Sequence, residues 1–372
     1  MRKKILILIQ SEKGAGGIAN YYKSLNGKFN KDVEYFERGA RTLPYRKGAI
    51  REFMRAITDL VKFILKMMSG RYYLVQTSSS LNIIPLFRDG FFVLFAKLFR
   101  VKVIVFIRGW YDSAEKKIED KYFRIFKWVY FKADAMIVLS SIFKKKLEKW
   151  GYNKKIYIET TVVNEELLNE VTVNFLEEKY TLINPQKEFK ILFLASYLFR
   201  GKGVYETIDA YIELKQKYPN ISLTIVGGDY LDISQTEDVK KYVKDRNLND
   251  IIFTGYLFGR DKINVFKEHH IYIFPTYTEG MPNSLLEAIS FGLPSITTPV
   301  GGIPDVFKHG INGFLVPVGS YIEIVNYVEE LINDIEKMKN ISLYNYNYAR
   351  KMFTPQRIIE RLENIYEELN NK

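Results

Sequence analysis

Short apolar runs rich in Ile, Val, Leu and Phe recur along the chain, each followed by a stretch of helical periodicity, and this alternation leaves few architectures open. In the first half the runs are Lys4–Ile9, Tyr72–Gln76, Val101–Ile107, Ala135–Leu139 and Ile156–Glu159. In the second half they are Lys190–Ala195, Ser222–Val226, Ile251–Phe253, Ile271–Phe274, Ser295–Thr298 and Phe314–Val316. Strands that are apolar on both faces must be covered on both faces, and helix-connected strands pair in parallel. The alternation runs through the chain twice, which predicts an α/β protein with two parallel-sheet, Rossmann-like units. A chain of 372 residues is also too long for one ordinary core. The periodicity breaks at Leu182–Lys187, so the predicted domains are residues 1–183 and 188–350. Pro355 then opens a last helix, as proline does at a first helical turn.

Composition removes several classes. There is no cysteine, so neither a disulfide scaffold nor a thiolate metal site is available, and a reducing compartment fits. The opening MRKKILILIQ reads as a strand; it lacks a signal peptide's cleavage site and is too short to span a bilayer. The longest apolar stretch, residues 81–99, is interrupted by Arg88, Asp89 and Lys97. The expectation is a cytoplasmic protein that does not cross the membrane. Charge is uneven: residues 1–180 carry 34 basic and 19 acidic residues, leaving 21 and 24 in the remainder. A balance of +15 against −3 gives the N-terminal half an anionic partner, a nucleic acid or an acidic membrane surface.

Parallel sheets bind ligands in the loops after their strands, and three such loops have suitable chemistry. In Ser11–Gly17, Gly14, Gly16 and Gly17 let backbone N–H groups approach a phosphate, or else make only a tight turn. In Ser196–Gly203, Arg200 and Lys202 flank Gly201 just before a helix predicted from Val204. Two cations there suit a diphosphate, with a solvated basic turn as the other reading. The third loop runs from Pro275 to the helix holding Glu287, with Asn283 or Ser284 as its predicted N-cap. Glu279 precedes that helix and Glu287 lies about a turn inside it. One carboxylate can therefore face a sugar while the other reaches a ribose diol; two ordinary surface acids are the alternative.

These residues resemble a known family. Glu279 to Glu287 has the E-x7-E spacing of the retaining GT-B glycosyltransferases of family GT4, and the stretch EGMPNSLLEAISFGLPSITTPVGGIPDVFKHGINGFLVP is similar to that family along its whole length. GAGGIAN, DAMIVLS, FRGKGVYETIDAY, LTIVGGD and FTGYL follow in the family's order, so the resemblance covers nearly the full chain. It implies two Rossmann-like domains facing across a cleft, an acceptor-side N-terminal domain and a donor-binding C-terminal one, with the helix 356–372 packing back on the first. By resemblance, Glu287 binds the ribose and Glu279 with Gly280 the donor sugar. Arg200 and Lys202 neutralise the leaving diphosphate, the amides of Asn283, Ser284 and Leu285 hold a phosphate, and Gly16 and Gly17 face the donor. No metal or other cofactor is expected, because cations and helix-terminus amides then stabilise the departing charge.

Two departures from the family stand out. Where many relatives have a histidine, this chain has Arg108, which cannot act as a base and is given a positioning role. Ser196 stands where an arginine often precedes the lysine, and Arg200 is its substitute. His269 and His270 read as helix-end residues rather than metal ligands. The segments Arg51–Lys66 and Lys121–Lys132 interleave cations with apolar side chains, a pattern that suits an anionic membrane face as well as a core stripe with a basic back. The expected function is transfer from a nucleotide-sugar, by family frequency a UDP-sugar, to a saccharide or polyprenyl- or lipid-linked acceptor in surface polysaccharide or glycolipid synthesis. That places the protein peripherally on the inner face of the cell membrane, with no nucleic acid partner. A catalytically degenerate partner subunit and a nucleotide-sugar epimerase share the fold.

Overall fold

The computed structural model describes residues 3–10, 17–39, 48–228, 233–248 and 250–371. The chain divides into two compact units, residues 1–162 with 355–372, and residues 163–354. The first unit holds six parallel strands: β1 (Lys4–Ile9), β2 (Val33–Glu37), β3 (Tyr72–Leu81), β4 (Lys102–Trp110), β5 (Ala135–Val138) and β6 (Lys155–Ile158), in the order β2-β1-β3-β4-β5-β6. The second holds β7 (Phe189–Tyr197), β8 (Ile221–Gly228), β9 (Ile251–Gly255), β10 (Ile271–Phe274), β11 (Ser295–Thr297) and β12 (Gly313–Leu315), in the order β12-β11-β10-β7-β8-β9. Every pairing is parallel. The two sheets of the sequence reading are therefore present, with one strand added. β2 lies at an edge and buries only Phe36, so its sequence lacks the apolar run of a central strand.

The helices used below are α1 (Gly17–Leu25), α2 (Ala49–Met68), α3 (Ile83–Leu98), α4 (Phe123–Tyr130), α5 (Val173–Leu182), α6 (Val204–Lys217), α7 (Gly259–Glu268), α8 (Asn283–Ser290) and α9 (Pro355–Asn370). The first unit ends at Val162 rather than near residue 183. α5 packs in the second unit, where the Tyr180 hydroxyl donates to the His270 carbonyl at 2.8 Å and burial pushes that hydroxyl above the ordinary tyrosine range. The break at Leu182–Lys187 is thus a turn between α5 and β7 inside one unit, not a linker.

α9 belongs to the first unit and is held there by specific contacts. Arg361 makes a bidentate pair with the buried Glu159, Nε to Oε2 at 2.9 Å and Nη2 to Oε1 at 2.7 Å. Tyr366 donates to Gln76 in the core at 2.9 Å, and Glu363 accepts from the backbone N–H groups of Asn30 and Lys31. The buried face of α9 (Ile358, Ile359, Leu362, Ile365, Tyr366, Leu369) has the 3.6-residue repeat of an amphipathic helix against a core.

Candidate functional site

In the second unit, three loops at the C-terminal ends of β7, β10 and β11 are stitched backbone to backbone. Tyr277 N–H donates to the Gly201 carbonyl at 3.0 Å, and the buried Thr276 hydroxyl reaches the same oxygen at 3.1 Å. Gly302 N–H donates to the Gly280 carbonyl at 2.8 Å. Glycine permits this approach at two points. Gly203 has φ of +78°, and a Cβ there would sit 2.2 Å from the Pro275 carbonyl oxygen. Gly301 has φ of +56°, and its Cβ would sit 1.7 Å from the Glu279 carbonyl oxygen. Neither position accepts a side chain without moving the loop that carries Glu279.

This stitching brings Lys202 to Glu279. The ammonium, at the end of the 3₁₀ turn Arg200–Lys202, forms a short ion pair with the Glu279 carboxylate, and both side chains are mostly buried. Lys202 also lies 5.8 Å from the centre of the Phe274 ring. Arg200, two residues earlier, is exposed, with its guanidinium 6.0 Å from the Tyr205 ring. Tyr277 donates to the buried Glu206 at 2.6 Å; that bond, with burial, raises the Tyr277 hydroxyl's pKa. Ser196 is exposed at the end of β7, where the strand is irregular between Leu194 and Tyr197.

α8 follows the Glu279–Gly280 turn. Its N-cap is Pro282, in an extended conformation, and not Asn283 or Ser284 as the sequence suggested. Proline has no side-chain acceptor to cap a helix, and the Ser284 hydroxyl is engaged elsewhere, accepting from the buried Tyr272 hydroxyl at 2.8 Å. The N–H groups of Asn283, Ser284 and Leu285 are the first three of the helix, so no carbonyl one turn back can accept from them. They offer an anion the positive end of the helix dipole. Glu287 is the fifth residue of α8 and is held by a partner the sequence reading missed: Lys262 of α7 reaches Oε1 at 2.8 Å and Oε2 at 2.7 Å. Nothing local marks Lys262, because the contact joins residues 25 apart in the chain.

In the first unit, Gly16 lies outside the described residues, and Gly17 opens α1. Arg108 is buried where β4 carries one residue more than β3: Ser79 pairs with Ile107 and Ser80 with Gly109. Such a bulge turns a side chain out of the strand's alternation. The Arg108 guanidinium stacks 3.6 Å from the centre of the Tyr21 ring and bonds Thr161 Oγ1 through Nη2 at 3.3 Å. Its Nε and Nη1 groups are buried with no hydrogen-bond partner among the described residues, and burial lowers its pKa from the ordinary arginine value. A buried guanidinium with unused donors is prepared for an acceptor group. Thus Arg200, Lys202, Glu279, Gly280, Asn283, Ser284, Leu285 and Glu287 all lie on the loops and helix starts of the second unit, while Arg108 and Gly17 lie in the first.

His269 and His270 are taken up by backbone. His269 Nδ1 lies 2.6 Å from the Val265 carbonyl oxygen, and His270 Nδ1 accepts from Lys190 N–H at 2.9 Å. Among the described residues no group of three or more His, Asp or Glu side chains is arranged to hold a metal ion, and no helix is long and apolar enough to cross a membrane.

Residues 176–348 match the family described as glycosyl transferases group 1. The capsular polysaccharide biosynthesis glycosyltransferase CapM of Staphylococcus aureus is 29% identical over 52% of this chain and 49% of its own length, so the chain spans about half of that relative. A glycosyltransferase of Methanocaldococcus jannaschii is 28% identical over 73% of this chain and 71% of its own. Among solved structures, Anabaena HepE in complex with UDP superposes with a TM-score of 0.75 at 15% identity, covering 98% of this chain and all of that one. That likeness shows the fold, a GT-B architecture of Rossmann-like α/β units.

Proposed function

We propose that this chain, which belongs to the group 1 glycosyltransferases through its second unit, moves a sugar from a nucleotide-sugar to a saccharide or lipid-linked acceptor with retention at the anomeric carbon. The observation that carries the reading is the Lys202–Glu279 pair, set beside Arg200 and the uncapped start of α8, with Glu287 one turn further on. A departing nucleoside diphosphate concentrates negative charge. Arg200, Lys202 and the N–H groups of Asn283, Ser284 and Leu285 can neutralise it without reorganising, which is the form of electrostatic catalysis that removes the need for a metal ion. Glu279, fixed by Lys202, accepts from donor-sugar hydroxyls. Glu287, fixed by Lys262, accepts from the two adjacent hydroxyls of a ribose.

Transfer then needs no protein base. The bond from the anomeric carbon to the leaving phosphate oxygen breaks, and the acceptor oxygen forms its new bond on the same face. The acceptor's hydroxyl proton passes to the departing phosphate oxygen. Arg108 stays protonated and positions its partner through the donors that find no acceptor among the described residues. UDP as the nucleotide is supported by the HepE complex, and a role in surface polysaccharide assembly by the likeness to CapM. The basic first half supports an acceptor carried by an anionic membrane, such as a polyprenyl-diphosphate-linked saccharide, and a cytoplasmic protein peripheral to the inner face of the cell membrane.

The test is UDP release from a panel of UDP-hexoses and UDP-N-acetylhexosamines, with a polyprenyl-diphosphate-linked saccharide as acceptor and EDTA present, and the product's anomeric configuration read by NMR. Turnover with the donor's configuration kept supports the proposal. An inverted product, or activity that EDTA abolishes, overturns the mechanism, and activity confined to soluble sugars overturns the lipid-linked acceptor.

A further inference from the structure

α2 is an amphipathic helix whose apolar stripe is exposed among the described residues. Ile50, Phe53, Ile57, Val61, Leu65 and Met68 recur at helical spacing, and each is between 42% and 82% exposed. At about 100° per residue they fall within a stripe roughly 120° wide, along a helix of about 30 Å. The core-facing side is a different one: Asp59, Phe63 and Met67 are buried, and Phe63 packs edge-on against Phe92 of α3 with ring centres 5.0 Å apart. From Ile50 to Thr58 no side chain is buried at all. Beside the apolar stripe runs a row of cations, Arg51, Arg55, Lys62 and Lys66, spaced at i, i+4, i+11 and i+15. Arg55 pairs with Glu52 and Lys66 with Glu34, while Arg51 and Lys62 are exposed. α3 adds a second apolar strip, with Ile84, Phe87, Phe91 and Leu98 exposed.

The other basic-aromatic segment behaves differently. α4 buries Phe126, Val129 and Tyr130 in the core and leaves only Ile125 and Trp128 of its apolar side chains exposed, too few to form a continuous stripe. Exposed apolar surface of the extent seen on α2 marks an interaction face. An adjoining cation row, on the half of the chain that carries the +15 balance, selects a partner with fixed negative charge and an apolar interior.

We infer that the exposed face of α2, supplemented by α3, docks the protein on an anionic lipid bilayer, with the apolar stripe sunk among the acyl chains and the cation row at the headgroups. The proposed lipid-linked acceptor gives this docking its purpose, whereas the face itself stands on its own geometry.

The test is co-sedimentation of the full chain with vesicles of phosphatidylglycerol and phosphatidylcholine, and with phosphatidylcholine alone, at low and high salt. Three proteins are compared: wild type, Phe53→Glu/Ile57→Glu/Val61→Glu, and Arg51→Ala/Lys62→Ala. The wild type should partition onto the anionic vesicles. The triple variant should lose at least about tenfold of that partition at either salt, since it puts charge into the apolar stripe. The double variant should lose several-fold, at low salt only. All the substituted side chains are exposed, so each variant should keep the wild-type melting temperature and its stabilisation by UDP, which confirms that the fold is intact. Absence of wild-type binding to anionic vesicles, or wild-type binding by the triple variant, overturns the inference. So does a wild-type dimer in light scattering that the triple variant loses, because that assigns the face to a second copy. Vesicle binding without any nucleotide stabilisation upholds the docking face and counts against the donor reading instead.

Discussion

Gly301 bears on the position of Glu279 through the close approach of the two backbones. Its positive φ and the 1.7 Å approach of a notional Cβ to the Glu279 carbonyl predict that Gly301→Ala loses stabilisation by UDP in a thermal shift, and about 1–3 kcal/mol of folding stability in urea denaturation. An unchanged shift would mean that the loop relaxes freely. Lys262 is the second quiet residue. Lys262→Ala leaves Glu287 without its cation and should weaken UDP binding by roughly tenfold in calorimetry, the scale of one charge-assisted hydrogen bond. Lys262→Arg should recover most of that loss, and equal affinity in all three proteins would remove Lys262 from the site. Arg108→Lys keeps the charge but gives up the planar stack on Tyr21, so it should lower turnover while UDP affinity stays constant. The Glu279–Glu287 spacing and the Arg200–Lys202 turn were legible in the sequence because each lies within one loop and helix start. Lys262 and the role of Gly301 were not, because each acts across a contact that only the folded sheet creates.

The turn from α7 into β10 carries its own pH dependence. Burial pushes His269 down to about 4 and His270 to about 3, and the neighbouring Lys179 adds repulsion to both. His270 accepts a backbone N–H through Nδ1, a bond that only the neutral ring can make. Between about pH 6.5 and these lowered values the unfolded chain holds protons that the folded chain refuses, so the two rings' contribution to stability falls as the pH drops through that window; burial of Lys179, lowered to about 7, makes the same kind of loss begin at higher pH. The melting temperature should therefore be lower at pH 5 than at pH 7.5, and His270→Asn should flatten the slope; equal melting temperatures would show the rings protonate at no cost. Strands were readable in proportion to burial. β1 after Lys4, and β5 and β10 throughout, are buried and stood out, while edge strand β2, with one buried side chain in five, did not. Residues 163–183 pack with the second unit and not with the first, and the sequence did not say so, because helical periodicity states that a face is covered and not what covers it.

At the scale of the whole chain, two parallel sheets follow from eleven apolar runs, but the division at Val162 and the return of α9 rest on contacts between segments far apart in sequence. Removing residues 355–372 strips Glu159 of Arg361 and Gln76 of Tyr366, so limited proteolysis should then cut within residues 1–162 before residues 163–354. Cleavage spread evenly over both would show that α9 is dispensable to the first unit. The groups proposed to hold the nucleoside diphosphate, Arg200, Lys202, the start of α8 and Glu287, lie on the second unit and need no metal ion, and that is the claim on which the proposed chemistry depends. Its most direct test is thermal stabilisation of the full chain by a panel of nucleoside diphosphates and nucleotide-sugars in EDTA, for wild type and Glu287→Ala. A ligand that binds only the folded state raises the melting temperature by mass action. A clear rise with a uridine nucleotide, lost in Glu287→Ala, is the predicted result; no rise with any nucleotide, or a rise that Glu287→Ala leaves intact, would contradict it.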